Sequence, residues 1–296
     1  MSLPGPPREH WYLAATSDAL GARPLARTIL GDPLVLFRAA DGAPAALPDR
    51  CAHRNLALSR GRCMSGTVEC AYHGWRYDGS GACVAIPSLA DGVPGRIGVS
   101  ARPAMERDGF VWVWMGAQAP EGAPRPFPHW REGGWTSFVM VNRFPAGALA
   151  CLENFLDCPH TAFVHRGWFR SGKARDVPAR VETTAGEVKV EFDERPAHDS
   201  VISRLLFPPR RRLAHTDRFQ MPSTSRVDYD FGPDWHFVIT SQCTPVTDEL
   251  TDVYTVVSFR AFRLGPLVRL FFEPMCRRII QQDLAVLEAQ TENVRR

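Results

Sequence analysis

The chain has 296 residues, 45% of them hydrophobic and 23% charged, with 35 basic against 32 acidic side chains and a formal charge of +3. That composition excludes a disordered tail, a collagen-like chain and a coiled coil. It also supplies no strong field of the kind that gathers nucleic acid or an anionic membrane. Almost all the positive charge is arginine, the lysines being Lys173 and Lys189, which is read as genome composition. No run approaches the ~20 apolar residues of a spanning helix. The start, MSLPGPPREHWYLAA, has neither the basic head nor the apolar stretch of a secretion signal. The expectation is a cytoplasmic protein without nucleic-acid or membrane partners. Its eight cysteines are then ligands or free thiols rather than a disulfide framework.

From residue 10 to 115 the chain reads as short strands, at 11–14, 34–37 and 110–114. Gly31-Asp32-Pro33, Asp41-Gly42 and Asp78-Gly79 break them as turns, and Gly66 and Gly74 read the same way, so a small all-β domain is expected. The stretch GAQAPEGAPRPFP at 116–128 carries four prolines and marks a domain boundary, giving domains 1–118 and 119–296. Beyond it come a strand at 136–142, a helical stretch at 147–165 and strand segments at 181–192, 219–231, 236–244 and 251–262. A C-terminal helix runs from about residue 275. Strands flanked by helices predict an α+β domain, helices packed on an antiparallel sheet.

Two short loops carry the first constellation, Cys51-Ala-His53 and, sixteen residues on, Cys70-Ala-Tyr-His73-Gly-Trp. Two thiolates and two imidazoles can bind zinc or an iron–sulfur cluster. A zinc finger usually draws its cysteines as one pair and its histidines as another. Here each loop supplies one of each, which suits a binuclear cluster with both cysteines on one iron and both histidines on the other. Neutral imidazoles in place of thiolates raise the potential to roughly −150 to +300 mV. Cys63 and Cys83 lie outside the motif and read as free thiols in or near the core.

Cys51-Ala-His53-Arg54 with Cys70-Ala-Tyr-His73-Gly-Trp75 resembles the Rieske [2Fe–2S] domain. Gly74-Trp75-Arg76-Tyr77 and Gly109-Phe-Val-Trp-Val-Trp114 extend the likeness over the first 115 residues. Leu56 and Tyr72 stand where respiratory Rieske proteins carry an extra disulfide, so the resemblance is to the ferredoxin and oxygenase branch.

The second constellation starts from Glu153-Asn154-Phe-Leu-Asp157-Cys-Pro-His160-Thr-Ala-Phe-Val-His165. In a regular helix residues five apart point about 140° away from each other, so His160 and His165 converge only if the helix is distorted or broken between them. Pro159 removes a backbone donor and loosens the ladder. On the C-terminal helix, Asp283 shares a face with Ile279, Ile280 and Leu287, while Arg278, Gln281, Gln282 and Glu288 fall toward the solvated side. A carboxylate on an apolar face is costly unless paired or bound to a cation. Two histidines and one carboxylate are the facial triad of non-haem iron(II), which leaves positions open for dioxygen and substrate.

With this set the resemblance covers nearly the whole chain and is to the catalytic α subunit of Rieske non-haem iron oxygenases. It implies that Cys51, His53, Cys70 and His73 hold a [2Fe–2S] cluster and that His160, His165 and Asp283 hold Fe(II). It implies that Asp157 bridges a mononuclear-iron histidine to His73 of a neighbouring subunit in a homotrimer, and that Asn154 helps shape the site. It further implies a helix-grip, START-like sheet in the second domain. Dioxygen is then the co-substrate, with electrons drawn from NAD(P)H through a separate flavin reductase, a ferredoxin, or both. Asn154-Phe-Leu-Asp157-Cys-Pro-His160 and Gln282-Asp283-Leu-Ala-Val-Leu-Glu-Ala-Gln290 resemble the monooxygenase and demethylase branch, which includes pheophorbide, chlorophyllide, dicamba and vanillate oxygenases. The implied reaction is hydroxylation or oxidative demethylation of a small to medium apolar or aromatic molecule. A ring cis-dihydroxylating dioxygenase is the alternative within the class, and a Rieske electron carrier with a non-catalytic second domain the alternative outside it.

Other residues carry plainer expectations. Arg210-Arg211-Arg212 reads as a solvated loop, with docking of an acidic electron donor as the alternative. His198, His215 and His236 read as surface or pocket residues. Trp235, Phe237, Phe259 and Phe262 suit a sheet face over a core, and Glu153 local packing.

Overall fold

A computed structural model describes residues 5–90, 92–93, 95–166, 176–193, 213–262 and 264–295. His198, the basic triplet 210–212 and Lys173 lie outside the described residues. The chain divides into two units, Met1–Pro126 and Phe127–Arg296.

The first unit holds three antiparallel sheets among its described residues. One orders β1 (Trp11–Thr16), β10 (Phe110–Trp114) and β9 (Ala104–Arg107). A second orders β2 (Leu25–Ile29), β3 (Asp32–Arg38) and β4 (Pro44–Pro48), and the third runs β5 (Arg62–Met64), β6 (Thr67–Glu69), β7 (Arg76–Tyr77) and β8 (Cys83–Ala85). The apolar run at 34–37 is continuous because β3 is buried on both faces. Leu34 and Leu36 join a core with Tyr12, Val111 and Val113, whereas Val35 and Phe37 face a core with Leu47, Val68 and Tyr77. That second core also contains Cys51 and Cys70.

The second unit is a seven-stranded antiparallel sheet with two α-helices among its described residues. Its order is β11 (Thr136–Phe144), β17 (Leu250–Ala261), β16 (Trp235–Thr247), β15 (Thr224–Asp230), β14 (Ala214–Gln220), β13 (Glu187–Phe192) and β12 (Ala179–Thr183). The expected α+β architecture is present. Two segments read as single strands are hairpins, β12–β13 and β14–β15, closed by three-residue turns at 184–186 and 221–223. Helix α1 (Ala148–Leu156) and the long helix α2 (Gly265–Val294) pack on the sheet. Phe272 of α2 meets Phe237 and Phe259 edge-on, both at 5.3 Å. Helix α2 starts ten residues before the expected point. Pro274 lies within it and costs an internal hydrogen bond, but buried Phe272, Met275 and Cys276 on either side anchor the segment. Trp235, Phe237 and Phe259 are buried, whereas Phe262 lies beyond the end of β17 and is exposed. No described helix is long and apolar enough to cross a membrane.

Two candidate metal centres

The first site is built by the loops that leave β4 and β6. The Cys51 amide donates to the Leu56 carbonyl at 2.9 Å and the Asn55 amide to the Cys51 carbonyl at 2.9 Å, closing one tight turn. The second loop repeats the pattern, the Cys70 amide donating to Trp75 O at 2.8 Å and the Gly74 amide to Cys70 O at 3.0 Å. Gly74 has φ +71° with Pro87 against its open side, a conformation and a close approach that only glycine meets without strain.

These turns bury the two thiols, each 2% exposed, and leave both imidazoles exposed. The His53 and His73 rings lie 4.6 Å apart, and Trp75 stacks on His53 at 4.6 Å. Desolvation, then the neighbouring His73 and Arg54, hold His53 toward its neutral, ligating form. Burial pushes the Cys70 thiol up. The Tyr77 hydroxyl accepts from the Ala52 amide at 3.1 Å and lies 3.2 Å from Cys51 Sγ. Burial keeps that phenol protonated, so its proton is available to a thiolate. Among the described residues, sets of three or more ligand atoms within 4.8 Å of one another are Cys158–His215–Asp217 and His160–His165–Asp283. The two cysteines and two histidines do not close to that single-ion spacing. A sulfur pair set apart from a nitrogen pair is the donor arrangement of a two-iron cluster.

The second site forms where α1 ends. The helix stops at Leu156 because Asp157 leaves the helical region, at φ −83° and ψ 89°. Pro159, with no amide proton, then opens a short 3-10 turn, Cys158–Ala162. The α-helix therefore breaks ahead of His160, and the 3-10 turn that follows ends at Ala162, between the two histidines. His160 rides on the tight turn, His165 follows it, and their Nε2 atoms come to 3.3 Å. Asp283 of α2 brings Oδ1 to 3.1 Å from His165 Nε2 and 3.4 Å from His160 Nε2. His165 and Asp283 are buried.

The partners behind the rings decide what meets at this point. His160 Nδ1 donates to the Asp157 backbone carbonyl, and His165 Nδ1 donates to Gln282 Oε1 at 2.9 Å. Oxygen acceptors there fix the Nδ1–H tautomers, leaving an Nε2 lone pair on each neutral ring. Two nitrogen lone pairs thus converge with Asp283 Oδ1, which is buried without a hydrogen-bond partner. Three acceptors facing one point require a positive charge between them. Burial opposes ionisation of Asp283, but His160, His165 and Asn154 more than offset it and hold its carboxyl below the ordinary value. With no cation between them, Asp283 and the Asp157 carbonyl outweigh burial and favour a proton on His160; a bound metal ion would take that proton's place and leave the ring neutral. The donor set fits iron(II).

The remaining expected residues are placed as follows. Asn154, on the last turn of α1, buries Nδ2 beside Asp283. Asp157 uses its carbonyl on His160 and keeps its side chain exposed. Glu153 is exposed. Gln282 is not on the solvated side; it is the residue that orients His165, and adjacency to Asp283 was its only signal. All eight cysteines are free thiols.

The sequence matches the Rieske [2Fe–2S] domain over residues 10–99 and the vanillate O-demethylase oxygenase C-terminal domain over residues 144–296. The chain belongs to the Rieske non-haem iron oxygenases. Dicamba O-demethylase, oxygenase component, of Stenotrophomonas maltophilia is 37% identical over 166 residues, 54% of this chain and 48% of that protein. The toluene-4-sulfonate monooxygenase iron-sulfur subunit TsaM1 of Comamonas testosteroni is 35% identical over 236 residues, 76% of this chain and 67% of that protein. The crystal structure of dicamba monooxygenase bound to dicamba superposes with a TM-score of 0.85 at 27% identity, over 95% of this chain and 86% of that one. The chain spans about half the length of the first curated relatives it matches, from 25% to 66%. A Rieske domain binds a [2Fe–2S] cluster, and the family uses mononuclear iron and dioxygen with electrons from a separate reductase.

Proposed function

We propose that this Rieske oxygenase hydroxylates or oxidatively demethylates a small to medium apolar, often aromatic, molecule, and that its two units divide the work. The N-terminal unit takes in electrons; the C-terminal unit holds substrate and iron. The observation that carries this reading is the convergence of His160 Nε2, His165 Nε2 and the unpartnered Asp283 Oδ1 on one point. It separates an oxygenase from an electron carrier, which has no use for such a set.

In this reading Cys51, His53, Cys70 and His73 hold the cluster, and His160, His165 and Asp283 the iron. When bound, the cluster supplies one-electron transfer and the iron supplies dioxygen chemistry. The protein's own part is placement. The exposed His53 and His73 edges face outward, where a ferredoxin or flavin reductase can approach. Gln282 and the Asp157 carbonyl hold the two iron-side imidazoles in the ligating tautomer. Asp157 is exposed, three residues before His160, where its carboxylate can accept a hydrogen bond from His73 of a neighbouring subunit. That is the basis on which we propose a bridging role and a homotrimer. Asn154 shapes the site through Asp283. Free thiols throughout suit a reducing compartment such as the cytoplasm.

The relatives named for dicamba demethylation and toluene-4-sulfonate monooxygenation support monooxygenation over ring dihydroxylation. The test begins with iron and acid-labile sulfide per chain on protein purified anaerobically. About three irons and two sulfides are expected. About two irons and two sulfides, unchanged after adding iron(II), would leave an electron carrier.

A further inference from the structure

We infer that β12, the edge of the seven-stranded sheet, is an interface between two copies of this chain, which pair antiparallel about a two-fold axis at Val181. The contact is separate from the one proposed between His73 and Asp157 and does not depend on the oxygenase reading. Among the described residues β12 ends the strand order and pairs with β13 alone, and each of its residues is exposed. The hydrogen bonds at its two ends fix which groups face outward. The Asp193 amide donates to Pro178 O at 2.9 Å, and the Thr184 amide to Glu187 O at 2.8 Å. Pro178 and Thr184 flank β12, and the register between them runs without a shift. The even-numbered residues therefore bond to β13, while Ala179, Val181 and Thr183 turn their N–H and C=O groups to the open side. None of these three is proline, so every outward group can take part in a ladder.

Edges that resist such pairing carry proline, a bulge or charges that repel. Strand β12 has neither proline nor bulge, and its two charges, Arg180 and Glu182, are of opposite sign. Pairing centred on Val181 sets Ala179 opposite the second copy's Thr183 and Arg180 opposite the second copy's Glu182, twice over by symmetry. The charged pairs then fall at the non-hydrogen-bonded positions, where Cα atoms approach to about 4.5 Å and side chains lie closest. Sliding one copy by two residues, the smallest step that keeps outward groups facing, sets Arg180 against Arg180 or Glu182 against Glu182. Opposite charges across strands stabilise and like charges oppose, so charge selects the register centred on Val181. The hairpin already alternates in this way, with Arg180 opposite Glu191 and Glu182 opposite Lys189. Arg180 and Glu182 also meet along the strand at 3.3 Å, in water, their side chains 77% and 47% exposed. A second copy continues the alternation. It also covers Val181, an apolar side chain left 60% exposed, with its own equivalent.

The contact is short, below the ~1,200 Å2 that a stable interface buries, so sedimentation of the holoenzyme is followed from about 1 to 300 µM. The wild type is expected to reach twice the mass of Val181→Pro, a change that removes an outward N–H and none of the hairpin's bonds. Arg180→Glu and Glu182→Arg, each alone, are expected to weaken the association about tenfold or more. Mixed in equal amounts the two should associate as the wild type does, because glutamate then faces arginine at both positions. That rescue also shows that neither variant is misfolded; for Val181→Pro, cluster absorbance and far-ultraviolet circular dichroism give the same check. A wild type that never reaches twice the Val181→Pro mass overturns the inference. So does a mixture that associates no better than either charge variant alone.

Discussion

Gln282 offers the sharpest probe of the buried histidine–aspartate set. Its Oε1 accepts from His165 Nδ1 at 2.9 Å, at a ring that is 2% exposed. Gln282→Leu keeps the bulk and removes the acceptor. The buried N–H left behind costs about 1–3 kcal/mol, and the ring loses what fixes its tautomer and angle. Loss of a hydrogen bond behind a metal-binding histidine typically weakens metal affinity about 10–100-fold, equivalent to about 1.4–2.8 kcal/mol. The two estimates agree because they describe the same missing bond. The assay removes loosely held iron with a mild chelator, keeps the cluster as judged by its visible absorbance, and titrates iron(II) anaerobically. Gln282→Leu is expected to raise the iron(II) Kd by the factor above with the cluster absorbance unchanged, and Gln282→Glu, which retains an acceptor, to stay within about threefold of wild type. Iron(II) affinity that is the same in Gln282→Leu and wild type would refute the claim that this carboxamide positions His165.

Tyr77→Phe removes the hydroxyl beside Cys51 Sγ; because hydrogen bonds to cluster sulfurs favour the reduced, more negative state, the midpoint potential is expected to fall by roughly 40–90 mV, as one bond of about 1–2 kcal/mol implies. Potentiometric titration followed by electron paramagnetic resonance reads this directly, and an unchanged midpoint would remove Tyr77 from the account. Phe259→Ala empties a fully buried site between Phe237 and Phe272, so unfolding should be easier by about 3–5 kcal/mol, seen as a drop in Tm of roughly 10 °C. Asp228 is buried, which opposes its charge, but His236, Arg226 and Arg218 reverse this and hold its carboxyl below the ordinary 3.8. The stability it contributes is therefore present above that value and lost as pH falls below it. Asp228→Asn should cost about 2 kcal/mol near neutrality, with the gap to wild type in thermal melts narrowing below about pH 4; a gap that widens on acidification would contradict this sign.

What the sequence displayed, and what it hid, follows from how local each feature is. The cysteine–histidine pairs are legible because each loop carries its ligands within three or four residues, and backbone turns alone set them facing. His160 and His165 were identifiable as residues, but their convergence depended on where the helix broke, and Pro159 could not say on which side. Asp283 was visible as a charge on an apolar face. Its neighbour Gln282 was not, since a position one residue round a helix is read as solvated until the partner across from it is known. His215 and Asp217 were hidden for a different reason. Reading 219–231 as one strand left them outside any element, so neither the alternation nor the face they share could be inferred. The early start of α2 was masked by Pro274, whose penalty is outweighed by aromatic packing that becomes visible only once the sheet is assembled.

The exposure of the two centres follows the work each has to do. Cys51 and Cys70 are buried while His53 and His73 stand exposed, so a cluster held there meets solvent along its imidazole edge, the side from which an external donor or a bridging carboxylate can reach it. At the second centre the order is reversed. Asp283 and His165 are buried, and each histidine is held from behind by an oxygen acceptor, so the two Nε2 atoms and Asp283 Oδ1 point inward at one another. A site that handles dioxygen beside an organic molecule needs that enclosure, because water excluded from it cannot divert the oxidant.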